Sequence, residues 1–127
     1  MTEKSLFSRK TFDRNSTVFE EGAPAECVYV LRSGSVEIRS GTRGETPLVV
    51  TRIKVGDVFG ELALLESRSH EAAAVALERS EMLEVPREEF MKRLNAADPV
   101  MKTVVNHLVS RLKEMQTELD KARRQPW

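Results

Sequence analysis

The segment Gly56-Asp57-Val58-Phe59-Gly60-Glu61-Leu62-Ala63-Leu64-Leu65 holds residue types that chemistry could use. Two glycines flank a short strand, and Gly60 opens a predicted one-turn helix over Glu61 to Leu65. A glycine loop running into a helix start presents unpaired backbone N–H groups at the positive end of the helix dipole. Such a place suits a phosphate, and Glu61 is placed to accept a hydrogen bond from a sugar hydroxyl. The same residues also make a plain turn with a capping carboxylate, so local physics leaves both uses open.

Other chemistry is short of parts. His70 and His107 are the only histidines, and no HxH spacing occurs, so a cupin-like metal centre in a β-barrel lacks its imidazoles. No GxSxG, HExxH or GxxxxGK[ST] motif is present. Cys27 is the only cysteine, which rules out an internal disulfide and a CxxC zinc site. In the apolar run Cys27-Val28-Tyr29-Val30-Leu31 it reads as a small buried hydrophobe. We therefore expect no catalytic residues, no metal site and no enzyme.

Residues 10–86 read as β-structure that would hold this segment. Candidate strands are Thr17 to Phe19, Cys27 to Leu31, Ser35 to Arg39, Leu48 to Ile53, Ala72 to Leu77 and Met82 to Val85. Glycine turns at Gly22, Gly34, Gly41 to Gly44 and Gly56 punctuate them about every ten residues, the pattern of a sandwich or barrel. Ser33-Gly34 marks a tight hairpin, and Thr42 to Pro47 a polar hairpin tip. After Pro86 the apolar period changes from two to about 3.6. Residues 87–97 form a short helix and turn, with Phe90, Met91 and Leu94 as its apolar face.

Asp98-Pro99 then starts a long helix over 98–124. Its apolar positions are Met101, Val105, Leu108, Leu112, Met115, Leu119 and Ala122, spaced alternately by four and three residues. That is a heptad seam, and it predicts a homodimer through this helix. In a parallel register Glu118 would face Arg123 of the second copy.

The chain of 127 residues carries 20 basic and 20 acidic side chains, with 40% hydrophobic content. This describes a single globular domain over 1–127. Zero net charge argues against nucleic-acid binding. From Asp98 onward six basic residues stand against four acidic ones, too small a surplus to change that reading. The beginning, MTEKSLFSRK, lacks an apolar core, and no stretch approaches the ~18 apolar residues of a membrane helix. We expect a cytoplasmic protein with no membrane contact.

The same residues resemble the cyclic nucleotide-binding domain family of catabolite-activator-type regulators, cyclic-nucleotide-dependent kinases and gated channels. Val18-Phe19-Glu20-Glu21-Gly22 is similar to the family's early strand and turn, and Tyr29 to Val36 to its central hairpin. Gly56 to Leu65 resembles its phosphate-binding cassette, and Leu83 to Phe90 the strand and helix that close the barrel. The resemblance implies a mainly β fold, a jelly-roll-like β-roll followed by a short helix and a long final helix. It implies Glu61 on the ribose 2′-hydroxyl, backbone amides of Gly60, Leu62 and Ala63 near the ribose phosphate, and a base capped by the final helix. The ligand would be cyclic AMP or cyclic GMP, with no other cofactor.

The family's cassette ends in an Arg that pairs with the phosphate, followed by two small residues. Aligning Ala72-Ala73 with those two puts Glu71 at the Arg position, whereas counting from Phe59 without a gap puts His70 there. A carboxylate facing a phosphate in a partly dry pocket is repulsive. Arg68, three residues before Glu71, or a protonated His70 could replace the missing charge. Two functions follow as expectations. One is a stand-alone sensor that binds a cyclic nucleotide or related phosphate and signals through its final helix. The other is a module without nucleotide binding that dimerises or docks an unknown protein partner.

Overall fold

The computed structural model describes residues 8–41, 47–65 and 69–124. The hairpin tip at 42–46 and Arg68 therefore lie outside the described residues. The chain forms two compact units, residues 1–89 and 90–127, and the boundary falls within a helix.

The described residues of the first unit form eight strands: β1 (Ser8–Phe12), β2 (Thr17–Phe19), β3 (Cys27–Ser33), β4 (Val36–Ser40), β5 (Leu48–Ile53), β6 (Val58–Phe59), β7 (Ala73–Ala76) and β8 (Ser80–Pro86). They form two antiparallel four-stranded sheets, ordered β1-β8-β3-β6 and β2-β7-β4-β5. This is the expected jelly-roll-like β-roll. β2 and β5 have the bounds read from the sequence, and β3, β4, β7 and β8 differ by one or two residues at their ends. β1 was not foreseen, because Ser8-Arg9-Lys10-Thr11-Phe12 has a single apolar residue and no alternation. It gains its strand by pairing along β8, from Ser8 opposite Glu84 to Phe12 opposite Ser80.

Alternation in β3 assigns the two faces. Tyr29 and Leu31 point into the roll, where they meet Val36, Ile53, Phe59, Ala74 and Met82. Val28 points the other way, joining Ala25 and Ala63 in a second cluster under the one-turn helix α1 (Leu62–Leu65). Each fully buried Leu- or Met-sized side chain here contributes about 2–3 kcal/mol of apolar burial. β7 is buried along its whole length, and its alanines let it sit between β2 and β4 without bulk on either face.

Among the described residues Glu37 is the one carboxylate sunk in this sheet, 5% exposed in β4. The Arg39 guanidinium donates to it at 2.7 Å, and Arg52 reaches it from β5 at 3.3 Å. Chiefly through the Arg39 hydrogen bond, and against the effect of burial, its pKa is held below the ordinary 4.5. A depressed folded-state pKa gives stability that is complete above pH 4.5 and is lost as pH falls through the folded value. Glu37→Gln should therefore melt below the parent at pH 7, with the gap narrowing as the pH falls below 4.5. A gap of constant size across that range would contradict the ion-pair assignment.

The second unit continues α2 (Arg87–Asn95) and contains α3 (Pro99–Arg124). Asp98 caps α3 by accepting from the Val100 amide at 2.8 Å, with Pro99 at the first helical position. Among its described side chains, the apolar positions stand out in solvent: Met101 is 60% exposed, Leu108 56%, Met115 57% and Leu119 50%.

Candidate functional site

The site arises where the two sheets fail to meet. β5 ends one sheet and β6 ends the other. A cavity of about 240 Å³ opens beside both, lined by Val50, Thr51 and Ile53 of β5, Val58 and Phe59 of β6, and Gly60, Glu61 and Leu62 after β6. Phe19, Ile38, His70, Glu71 and Ala72 complete the lining. The volume lies just under the range of about 300–1,000 Å³ usual for small-molecule sites.

The floor is aromatic. Tyr29 and Phe59 stack at 5.3 Å between ring centroids, and Phe19 lies 5.7 Å from Tyr29 and 6.2 Å from Phe59. Burial, reinforced by the nearby Glu84 charge, raises the Tyr29 phenol well above its ordinary value, so it stays protonated. Gly60 bends the chain over this floor with φ +76°. A Cβ there would come within 3.1 Å of the Tyr29 ring and 3.3 Å of the Cys27 carbonyl. The position thus needs glycine both for its backbone angle and for the close approach.

Gly60 sets up α1. The Gly60 carbonyl accepts from the Ala63 amide at 3.1 Å, and the Glu61 carbonyl accepts from the Leu64 amide at 2.9 Å. Glu61 is exposed and lines the cavity, while Leu62 is half-buried beside it.

On the other side the chain returns through Ser69, which bridges to Pro24. The His70 amide donates to the Ala23 carbonyl and the Gly22 amide donates to the His70 carbonyl, both at 2.8 Å. This two-bond clamp fixes which side chain turns inward. Ser69 and Glu71 are exposed, and His70 is 5% exposed. Its imidazole lies flat on Phe19, 3.6 Å between centroids and 11° between planes. Burial lowers its pKa below the ordinary 6.5, so it is neutral near pH 7. Of the two residues weighed for the Arg position, His70 is the one within the cavity wall and Glu71 lies at its exposed edge.

Of the eight sequence-derived site residues, Gly60, Glu61, Leu62, His70, Glu71 and Ala72 meet at this one cavity. Ala63 does not line it. That residue is fully buried against Ala25 and Val28, and its amide is used within the turn. Ala73 lies in β7 and lines a separate, more polar hollow with Glu20, Glu21 and Arg39. Phe19, Ile38, Val50, Thr51, Ile53 and Val58 were missed as site residues. They come from four separate strands, β2, β4, β5 and β6, and only the apposition of the two sheets brings them together.

The donor set fits a cyclic nucleotide in part. An exposed carboxylate suits a ribose hydroxyl, and the apolar and aromatic lining suits flat rings. Among the described lining residues there is no Lys or Arg for the phosphate. Cys27, half-buried and with its thiol pKa raised by burial and by the nearby glutamates, lies outside this cavity. No group of three His, Cys, Asp or Glu among the described residues could hold a metal ion. No described helix is long and apolar enough to cross a membrane.

Comparison with known proteins agrees with this architecture. The cyclic AMP receptor protein of Thermus thermophilus is 28% identical over 116 residues, covering 91% of this chain and 54% of that protein. The cAMP-dependent protein kinase regulatory subunit of Aspergillus fumigatus is 33% identical over 92 residues, 72% of this chain and 21% of that one. This chain thus spans about half or less of these relatives' length. A solved structure of the EAL enzyme Bd1971 in a halfsite-occupied form superposes with a TM-score of 0.77 at 26% identity, covering 86% of this chain and 97% of that one. Residues 9–96 match the family model described as the cyclic nucleotide-binding domain, and the chain belongs to that family.

Proposed function

We propose that this chain is a ligand-responsive regulatory domain that takes a cyclic nucleotide in the cavity between β5, β6 and α1 and signals through α3. One observation carries the reading: Gly60, Glu61, Leu62, His70, Glu71 and Ala72 converge on a single, largely apolar cavity whose lining includes the exposed Glu61. In this reading Glu61 accepts hydrogen bonds from the ribose, and Phe19 and Phe59 exclude water from the ligand's buried side. The domain binds without covalent chemistry. Residues 1–127 act as one sensor domain in the cytoplasm, with no nucleic acid or membrane partner. The names of the Thermus and Aspergillus relatives support a cyclic nucleotide as the ligand class. Calorimetric titration with cyclic AMP and cyclic GMP tests the reading.

Signalling follows as a population shift. A ligand favours whichever arrangement of α3 it binds more tightly, and the shift cannot exceed that difference in affinity. We assign the exposed seam of α3 to a second copy of the chain, forming a homodimer. Leu108→Glu should then convert a dimer to a monomer in sedimentation, because a buried carboxylate in a seam is strongly unfavourable. An unchanged mass would remove α3 from the interface, and so would a parent chain that is already monomeric.

A second reading has its own support. The lack of a Lys or Arg among the described lining residues favours a module that has lost nucleotide binding and docks a protein partner. Saturable binding of either cyclic nucleotide by the unaltered chain would exclude it.

A further inference from the structure

We propose that the chain carries a second ligand site, where Arg87 and two glutamates hold a small zwitterion of the α-amino acid kind. The site is a cavity of about 380 Å³ where β3, β8 and α2 meet, lined by Ala25, Glu26, Cys27, Pro86, Arg87 and Glu88. It shares no lining residue with the cavity beside β5 and β6, and it does not depend on the sensor reading. Its volume falls within the range of about 300–1,000 Å³ usual for small-molecule sites. All six residues belong to the first unit. Two contacts hold the walls together. Cys27 pairs with Pro86, where β3 starts and β8 finishes, and the Arg87 amide donates to the Glu26 carbonyl at 2.9 Å.

Arg87 supplies the anion-binding half. Among the described residues its Nε is the one buried side-chain nitrogen or oxygen without a hydrogen-bond partner. None of the ion pairs found among the described residues includes Arg87. A guanidinium is one delocalised cation with its donors in a rigid fork. Enclosing part of it without a partner is unfavourable, and a carboxylate meeting the fork from the cavity offsets that through charge-assisted hydrogen bonds. Glu26 and Glu88 are exposed and line the same cavity. Two carboxylates oppose a phosphate dianion there, whereas they attract an ammonium group. A fitting ligand therefore carries both signs close together, as an α-amino acid does with one carbon between its ammonium and its carboxylate. Ala25, Cys27 and Pro86 give the less polar wall against which a side chain rests. Burial raises the Cys27 thiol pKa, so that group stays neutral and adds no third negative charge. Binding makes and breaks no covalent bond.

Calorimetric titration of the full chain with glycine, L-alanine, L-leucine and L-glutamine tests the site. Saturable binding of at least one of the four is expected, at one site per chain. Acetate and methylammonium each carry half of the charge pattern and should bind on the order of tenfold more weakly or worse. Arg87→Gln should weaken the amino acid on the order of tenfold or more, and Arg87→Lys, which keeps the charge without the fork, should fall between. Both variants should melt close to the parent, because the enclosed Nε has no partner to lose. Glu61→Ala, in the other cavity, should leave the amino acid's affinity unchanged. No saturable binding of any of the four amino acids would overturn the site, and so would binding that both Arg87 variants leave intact. Binding that Glu61→Ala abolishes would move the ligand to the other cavity and overturn it as well. Acetate binding as tightly as the amino acid would overturn the zwitterion.

Discussion

Gly34→Ala should cost the fold about 3–5 kcal/mol and lower its melting temperature by roughly 10 °C or more. Gly34 turns the β3–β4 hairpin with φ +91°, an angle that L-residues rarely adopt. A Cβ there would run into Ser80 Oγ and approach the Arg79 carbonyl and Ser80 Cα to 2.7 Å each. Two of those three atoms are backbone and cannot step aside. Ser80 itself is 1% exposed, accepting from the Ser35 amide at 3.1 Å and donating to the Glu78 carbonyl at 2.8 Å. Gly56 supplies the control. It has φ +95° but nothing within 4 Å of a built Cβ, so Gly56→Ala carries only the backbone strain, about 1–2 kcal/mol. Denaturant melts of the two variants separate clash from strain. Equal losses would show that Ser80 yields and that the hairpin is looser than described.

Glu61→Ala should weaken cyclic nucleotide binding on the order of 100-fold while leaving the melting temperature nearly unchanged. Hydrogen bonds to a charged partner are worth about 1.5–3 kcal/mol, which converts to about 10- to 150-fold in affinity. The carboxylate is exposed in the free domain, so removing it leaves no buried group unsatisfied. Glu61→Gln keeps the shape and one acceptor, and should lose about tenfold. Calorimetry on both variants, with a thermal melt of each, checks the pair. An alanine variant that binds as well as the parent would take the ribose contact away from Glu61.

Much of the fold was legible because strands announce themselves by alternation and by their turns. β2 and β5 have the bounds that Thr17-Val18-Phe19 and the Leu48 to Ile53 run suggested. The change of period after Pro86 and the Asp98-Pro99 start placed α2 and α3 to within a residue or so. β1 was illegible because a strand of basic and hydroxyl residues at the edge of a sheet is specified by its partner, not by its own pattern. The site divides the same way. Gly60, Glu61 and Leu62 act within a few residues of one another, so local spacing was enough to bring them forward.

The choice between His70 and Glu71 needed a contact across nearly fifty residues, the pairing of His70 with Gly22 and Ala23. A one-residue slip reverses which side chain turns inward, and nothing in the local sequence sets that register. The place of Ala63 was illegible for a related reason. A one-turn helix shows one residue to the cavity and the next to the core, and the sequence alone does not say which. The aromatic floor of Phe19, Tyr29 and Phe59 comes from three strands in two sheets, beyond the reach of any local motif.

Titration of the unaltered chain with cyclic AMP at pH 6, followed calorimetrically, tests the central claim most directly. The account predicts saturable binding at one site per chain, weakened on the order of 100-fold by Glu61→Ala. No heat and no thermal shift with millimolar cyclic AMP or cyclic GMP, at pH 6 and at pH 8 alike, would contradict it.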